Sequence, residues 1–148
     1  MSTTSDTIGK FNNVFNEIYD ELNENLSNVE VAKYFRPIEL HKFFPSVDVV
    51  PIQNELSDIG IGGIRAFRNT FEIYCHSKPL RLNELDFPID ILDRVCKIIE
   101  DMRDTSADII TNGYADDIYI NRIEYHYTLL ENAMIETSVI TVIVESDP

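Results

Sequence analysis

The stretch 57-SDIGIGGIRAFRNTFEIYCHS-77 decides how this chain is read. Its first half, Gly60-Ile61-Gly62-Gly63, has the composition of a phosphate-binding loop, and its second half shows whether it is one. A phosphate loop needs a Gly-Lys-Ser/Thr ending and a helix behind it, because helix-end amides and the lysine neutralise the phosphate charge. Here Gly63 is followed by Ile64 and Arg65, and no third glycine opens a helix as a dinucleotide fingerprint requires. From Phe67 to Cys75 the odd positions are mainly apolar and the even ones mainly polar, the period of a half-buried strand. The glycines are therefore read as a hairpin connection, with positive φ needed at one or two of them. Ile59, Ile61 and Ile64 make the loop tip apolar for an exposed turn, so a partner surface is expected there.

Upstream, 43-FFPSVDVVPIQNEL-56 is an extended piece bracketed by Pro45 and Pro51. Proline cannot donate to a ladder, which predicts an edge strand or an arm reaching from the body. The preceding 28-NVEVAKYFRP-37 fits a short helix or a strand, ended by Pro37. Residues 7–26 carry Ile8, Phe11, Val14, Phe15, Ile18, Tyr19 and Leu22 at helical spacing behind a polar tail over 1–6, with Asp6 or Thr7 as the cap. Glu17, Asp20, Glu21 and Glu24 oppose that helix's macrodipole, so docking on another layer must hold it.

Downstream, 86-DFPIDILDRVCKIIEDMRD-104 is a second amphipathic helix, with Ile89, Leu92, Val95, Cys96, Ile99 and Met102 on one stripe. The segment 107-ADIITNG-113 reads as a short strand closed by a turn. In 116-DDIYINRIEYHYTLL-130, Tyr119, Ile123, Tyr125, Tyr127 and Leu129 are expected on one face. After a turn at Glu131-Asn132, the run Val139 to Val144 is apolar on both faces and should be covered twice, once by the chain's own helices and once by something else. The expected architecture is one α+β domain over 1–148: a mainly antiparallel sheet, two amphipathic helices on one face, one long hairpin and a proline-flanked arm.

Composition narrows the function. A chain of 148 residues with 44% hydrophobic and 26% charged residues can bury a core, roughly 70% of its unfolded surface. No apolar run reaches the roughly 18 residues of a membrane span, so no membrane partner is expected. The start lacks a basic flank and an apolar run and is not read as a secretory signal. Cys75 and Cys96 are expected as small buried hydrophobes in a reducing compartment. The net charge of −14 repels nucleic-acid phosphate, and the arginines and lysines form no continuous stripe. Arg65 and Arg68 are read as partners for a neighbouring subunit's acids.

Neither a metal nor any other cofactor is expected. His41, His76 and His126 lie far apart, none beside a second ligand at zinc spacing, and Cys75 and His76 would face opposite ways on a strand. With 26 acids in the chain, adjacent acids such as Asp116-Asp117 arise by chance. No catalytic residue is nominated, and no enzymatic activity is expected.

The order of elements resembles the tail terminator, or tail completion, proteins of long-tailed bacteriophages. The matching pieces are a helix at Phe11 to Leu22, an extended segment at Phe44 to Leu56, and an R-x-F-x-N-x-F-E-I-Y strand from Arg65. A second helix at Pro88 to Met102 and closing strands within Ile118 to Val144 complete the likeness. The resemblance implies a structural virion protein, assembled in the host cytoplasm, whose copies form a hexameric ring. Such a ring caps the tail tube protein, ends its polymerisation and meets a head–tail connector or neck protein, while DNA passes the lumen without specific binding. On that reading Ile59, Ile61, Ile64, Arg65, Arg68, the arm at Pro51 and the strand residues Ile140, Val142 and Val144 supply subunit contacts. A connector or neck subunit is the neighbouring alternative, and a small acidic cytosolic protein-binding module or regulator is the alternative of another class.

Overall fold

The computed structural model describes residues 4–58, 65–78, 86–104, 115, 117–130 and 133–146. Its elements, in chain order, are α1 (Thr4–Asn25), β1 (Glu30–Lys33), a 3-10 turn (Ile38–Leu40), β2 (Ser46–Asp58), β3 (Arg65–Ser77), α2 (Asp86–Asp104), β4 (Asp117–Leu130) and β5 (Ala133–Ser146). The strands form one sheet in the order β1-β2-β3-β5-β4. β1 runs parallel to β2 and every other pair is antiparallel, so the fold is α+β as expected.

The hairpin reading of the opening stretch holds at its flanks. β2 and β3 pair from Asp58↔Arg65 down to Ser46↔His76. The loop itself, with Ile59, Ile61 and Ile64, lies outside the described residues, as does the expected strand at 107–113. β4 and β5 form a second long hairpin, with Leu130↔Ala133 closing it around the expected turn.

The alternation of β3 sorts the two faces. Phe67, Phe71, Ile73 and Cys75 are buried on the helix side, and His76 faces the other way, as strand geometry requires of neighbours. β5 lies between β3 and β4, which explains its doubly apolar run. Ile140, Val142 and Val144 pack beneath the helices, while Val139 and Ile143 are buried on the open side.

Both helices lie on one face. Val14, Phe15, Ile18 and Leu22 of α1 and Ile91, Leu92, Val95, Ile99 and Met102 of α2 share one core with Val47, Val49, Phe71, Ile73 and Ile140. Phe71 has no solvent exposure and stacks on Phe11 (5.5 Å) and Phe15 (6.0 Å), so this ring joins α1 to the middle of the sheet. β1 also ties to α1 through a lysine. Lys33 Nζ donates to Asn16 Oδ1 (2.7 Å) and sits 4.9 Å from the Tyr19 ring centroid. At the helix end, Asn25 Nδ2 donates to the Glu21 carbonyl (2.7 Å), and the Leu26 N–H donates to the Leu22 carbonyl (3.0 Å), satisfying one of the last four acceptors.

Three expectations are corrected. The stretch between Pro45 and Pro51 belongs to a paired strand and is no arm: Val47 and Val49 are core residues, bonded to β1 on one side and β3 on the other. Pro51 is tolerated because β1 stops at Lys33↔Val49, after which β2 is the sheet edge, and the ladder shifts register between Pro51 and Gln53. In β4, a second shift between Ile120 and Arg122 puts Ile118 and Ile120 on the face of Ile123, Tyr125, Tyr127 and Leu129. Tyr119 turns to the open side, where its hydroxyl donates to Glu145 Oε1 (2.8 Å). Finally, α1 already begins at Thr4, inside the expected polar tail.

Phe71→Ala should destabilise the fold by about 3–5 kcal/mol, the usual range for a fully buried aromatic. Urea unfolding followed by circular dichroism measures it, and a loss below about 1 kcal/mol would show that α1 is anchored elsewhere.

Candidate functional site

Two features stand out from the fold: a buried polar cluster on the open face of the sheet and two separate groups of exposed apolar side chains. The polar cluster and one of the apolar groups arise from the connection between β1 and β2. Two parallel neighbours must be joined by a crossover, here residues 34–45, and this one passes over the face opposite the helices.

The crossover starts at Tyr34, whose φ of 72° is left-handed and costs a non-glycine residue about 1–2 kcal/mol. Its N–H donates to the Val49 carbonyl (2.7 Å) and its ring meets Phe15 edge-on at 5.3 Å. The next residue, Phe35, falls on the open side against Tyr74 (5.5 Å). The chain is thereby turned across the sheet edge.

Asp48 is the centre of the cluster. It occupies the polar side of β2, opposite Val47 and Val49, and its side chain has no solvent exposure. Arg36 Nε and Nη2 both donate to Asp48 Oδ1 (2.8 and 2.6 Å), the Arg36 backbone N–H reaches Oδ2 (3.3 Å), and Nη1 binds Glu30. Two imidazoles face the same Oδ2: His41 Nε2 at 3.3 Å and His76 Nε2 at 3.7 Å. The rings stand edge to face with centroids 4.6 Å apart. Each is anchored by its other nitrogen, His41 Nδ1 at 2.7 Å from Ser46 Oγ and His76 Nδ1 at 2.8 Å from Thr137 Oγ1.

Electrostatics follow from this packing. Burial pushes the Asp48 carboxyl up, but His76, Arg36 and His41 together hold it below the usual carboxylate value. Burial drives His41 down from the usual histidine value, outweighing the attraction of Asp48. Glu30 and Asp48 raise Arg36 against the opposing effect of its own burial. The 3.7 Å gap from His76 Nε2 to Asp48 Oδ2 is too long for a hydrogen bond, so His76 Nε2 is buried without a hydrogen-bond partner among the described residues. His41, Asp48 and His76 thus present three donor atoms within 4.8 Å of one another, a set that could hold a metal ion.

This cluster was not read from the sequence, where each histidine was taken alone. The available signal was Ser46 and Asp48 alternating with buried valines in one strand, which placed two polar side chains on a face that His76 shares.

The apolar groups lie at opposite edges of the sheet. Beyond Glu136, β5 has no β3 partner, so the end of the β4–β5 hairpin stands clear of the sheet. Tyr127 and Leu129 there are 65% and 73% exposed, beside exposed Tyr125 and Met134 on the helix-side face. At the other edge, the crossover exposes Tyr34, Phe35, Leu40 and Phe43.

The expected contact residues divide. Ile140, Val142 and Val144 are wholly buried in their own chain's core and are not available to a second copy. Pro51 is half-buried at the β2 edge. Arg68 is exposed, but its Nε lies 3.5 Å from Glu145 Oε1 of the adjacent strand, a solvent-screened pair of small value. Arg65 pairs through its backbone with Asp58. Both cysteines are free, with burial pushing Cys96 up to about 11 and Cys75 higher still.

No protein-family profile matches the chain, and no curated protein does. A solved structure described as the virion of a native gene transfer agent particle contains a chain of similar fold. The TM-score is 0.51 at 10% identity, covering 90% of this chain and 95% of that one. The similarity is therefore of the whole fold and not of a shared fragment.

Arg36→Met leaves the Asp48 charge buried and uncompensated and should cost about 3–5 kcal/mol of stability. Adding Asp48→Asn should recover a large part of it, since the orphaned charge is then removed. Chemical denaturation of the two single variants and the double variant checks this, and simple additivity would show that the pair is not coupled.

Proposed function

We propose that this chain is a structural subunit of a phage-like particle, acting by assembly and not by catalysis. Its copies join head to tail into a ring that caps the tail tube, ends tube growth and offers the surface to which the head attaches. The observation that carries the proposal is the pair of unlike apolar patches, the hairpin end at the β4 edge and the crossover at the β1 edge. One patch meeting a different patch on the next copy is a heterologous contact, which generates a ring when its rotation closes. A two-fold dimer would need only one self-complementary patch.

Two further facts support the reading. The fold is that of a chain in a virion particle. The net charge of −14 suits a lumen through which DNA must slide without being held. A connector or neck subunit shares this ring logic, and the tube assay below separates the two.

Tyr127→Asp combined with Leu129→Asp tests the proposal. Both side chains are exposed, so each change should alter folding by no more than about 0.5 kcal/mol. The wild-type protein should form rings alone or on tail tubes, seen by light scattering and electron microscopy, and stop tubes at a defined length. The folded double variant should do neither. Rings and capped tubes formed equally well by the variant would overturn the interface assignment, and wild-type rings that leave tubes growing would favour the connector.

A further inference from the structure

We propose that His41, Asp48 and His76 bind one divalent transition-metal ion of the zinc class, which fastens the crossover to the sheet. The inference is independent of the assembly reading, because it rests on the open face of a single chain.

The donor set is built for such an ion. In a tetrahedral shell with bonds of about 2.0–2.1 Å, donor atoms stand about 3.4 Å apart. His41 Nε2 and His76 Nε2 stand 3.3 and 3.7 Å from the one oxygen Asp48 Oδ2, and all three atoms lie within 4.8 Å of each other. The Arg36 carbonyl, which accepts a hydrogen bond from His41 Nε2 (3.2 Å), is an oxygen at hand for a fourth position once that proton is lost.

Hydrogen bonding points the same way. Ser46 Oγ and Thr137 Oγ1 sit at the two Nδ1 atoms. At His76, a proton on Nδ1 donated to Thr137 Oγ1 leaves the Nε2 lone pair turned toward Asp48, the arrangement by which outer partners fix a ligating histidine. At His41, Nε2 donates to the Arg36 carbonyl (3.2 Å), and an ion would take the place of that proton. The His76 lone pair and the Asp48 oxygen, 3.7 Å apart, repel unless something positive stands between them. Arg36 does not fill that role, because its side-chain donors engage Oδ1 and Glu30. His76 Nε2, in a side chain only 2% exposed, is left with no hydrogen-bond partner among the described residues. A buried polar atom without a partner is costly, and a metal bond supplies one.

Two imidazoles and one carboxylate favour zinc, cobalt or nickel over magnesium or calcium, which prefer all-oxygen shells of six or more. The ion would tie residue 41 of the crossover to β2 and β3 at once. It would therefore be structural, taken up as the chain folds.

The test uses the full chain, stripped with chelator and titrated separately with Zn²⁺, Co²⁺ and Mg²⁺. One Zn²⁺ or Co²⁺ per chain should bind, with a visible Co²⁺ spectrum of a low-coordinate site and a rise in melting temperature that Mg²⁺ does not reproduce. X-ray absorption of the zinc-loaded wild-type protein should count two imidazole nitrogens. Thr137→Val, which removes only the outer partner, should weaken binding about 10–100-fold. His41→Gln and His76→Gln should abolish stoichiometric binding in protein that keeps its near-ultraviolet circular dichroism. The proposal is overturned if the stripped wild-type protein takes up no stoichiometric zinc, if the bound zinc shows fewer than two imidazoles, or if folded histidine variants bind as tightly as the parent. Should neither histidine variant fold, the uptake and the imidazole count of the wild-type protein decide the matter.

Discussion

A carboxylate removed from water has to be compensated, and in this protein that requirement fixes the path of the chain. Asp48 sits on the open side of β2 with no solvent contact. Its compensation comes from Arg36 and His41 in the crossover, and His76 on β3 faces the same carboxylate. Burying a charge without partners would cost several kcal/mol, more than the left-handed turn at Tyr34 that delivers those partners. Residues 34–45 therefore lie across the sheet, and β1 lines up parallel beside β2 with Lys33 reaching α1. The sheet edge, the cover of the open face and the support of the first helix all follow from one buried acid.

The same path creates the surface on which the functional reading rests. Holding the crossover by its polar residues leaves its large apolar ones, Phe35, Leu40 and Phe43, facing outward. At the far edge the β4–β5 hairpin outruns the helices that cover its base, so Tyr127 and Leu129 continue the core stripe of Ile118, Ile120 and Ile123 into open solvent. In each case a segment that is well anchored within the chain presents an apolar end beyond it. That combination of a rigid scaffold and unsatisfied apolar ends suits assembly into a larger particle.

Much of the fold was legible because its signals are local. The alternation from Phe67 to Cys75 excluded a phosphate-binding helix and placed the glycines in a hairpin. The stripes of α1 and α2 identified the helices, and the doubly apolar run at Val139 to Val144 identified an interior strand. Periodicity reports on each element's own neighbours and needs no knowledge of distant ones. What it could not report is a shift of register. The irregularity between Ile120 and Arg122 moved Tyr119 to the other face, because one extra residue reverses every assignment on one side of it. The prolines misled in a similar way: Pro45 and Pro51 argued for a free arm, whereas β1 pairs only with the residues between them.

The sequence by itself determined the class of fold, the sidedness of β3 and the absence of a phosphate-loop signature, since each is carried by spacing within a dozen residues. Only the tertiary structure decided which buried apolar residues belong to the chain's own core and which exposed ones remain for a partner. It alone also brought His41, Asp48 and His76 together. Those outcomes depend on how a crossover and two strands far apart in sequence are laid over one another, and no local pattern encodes that placement.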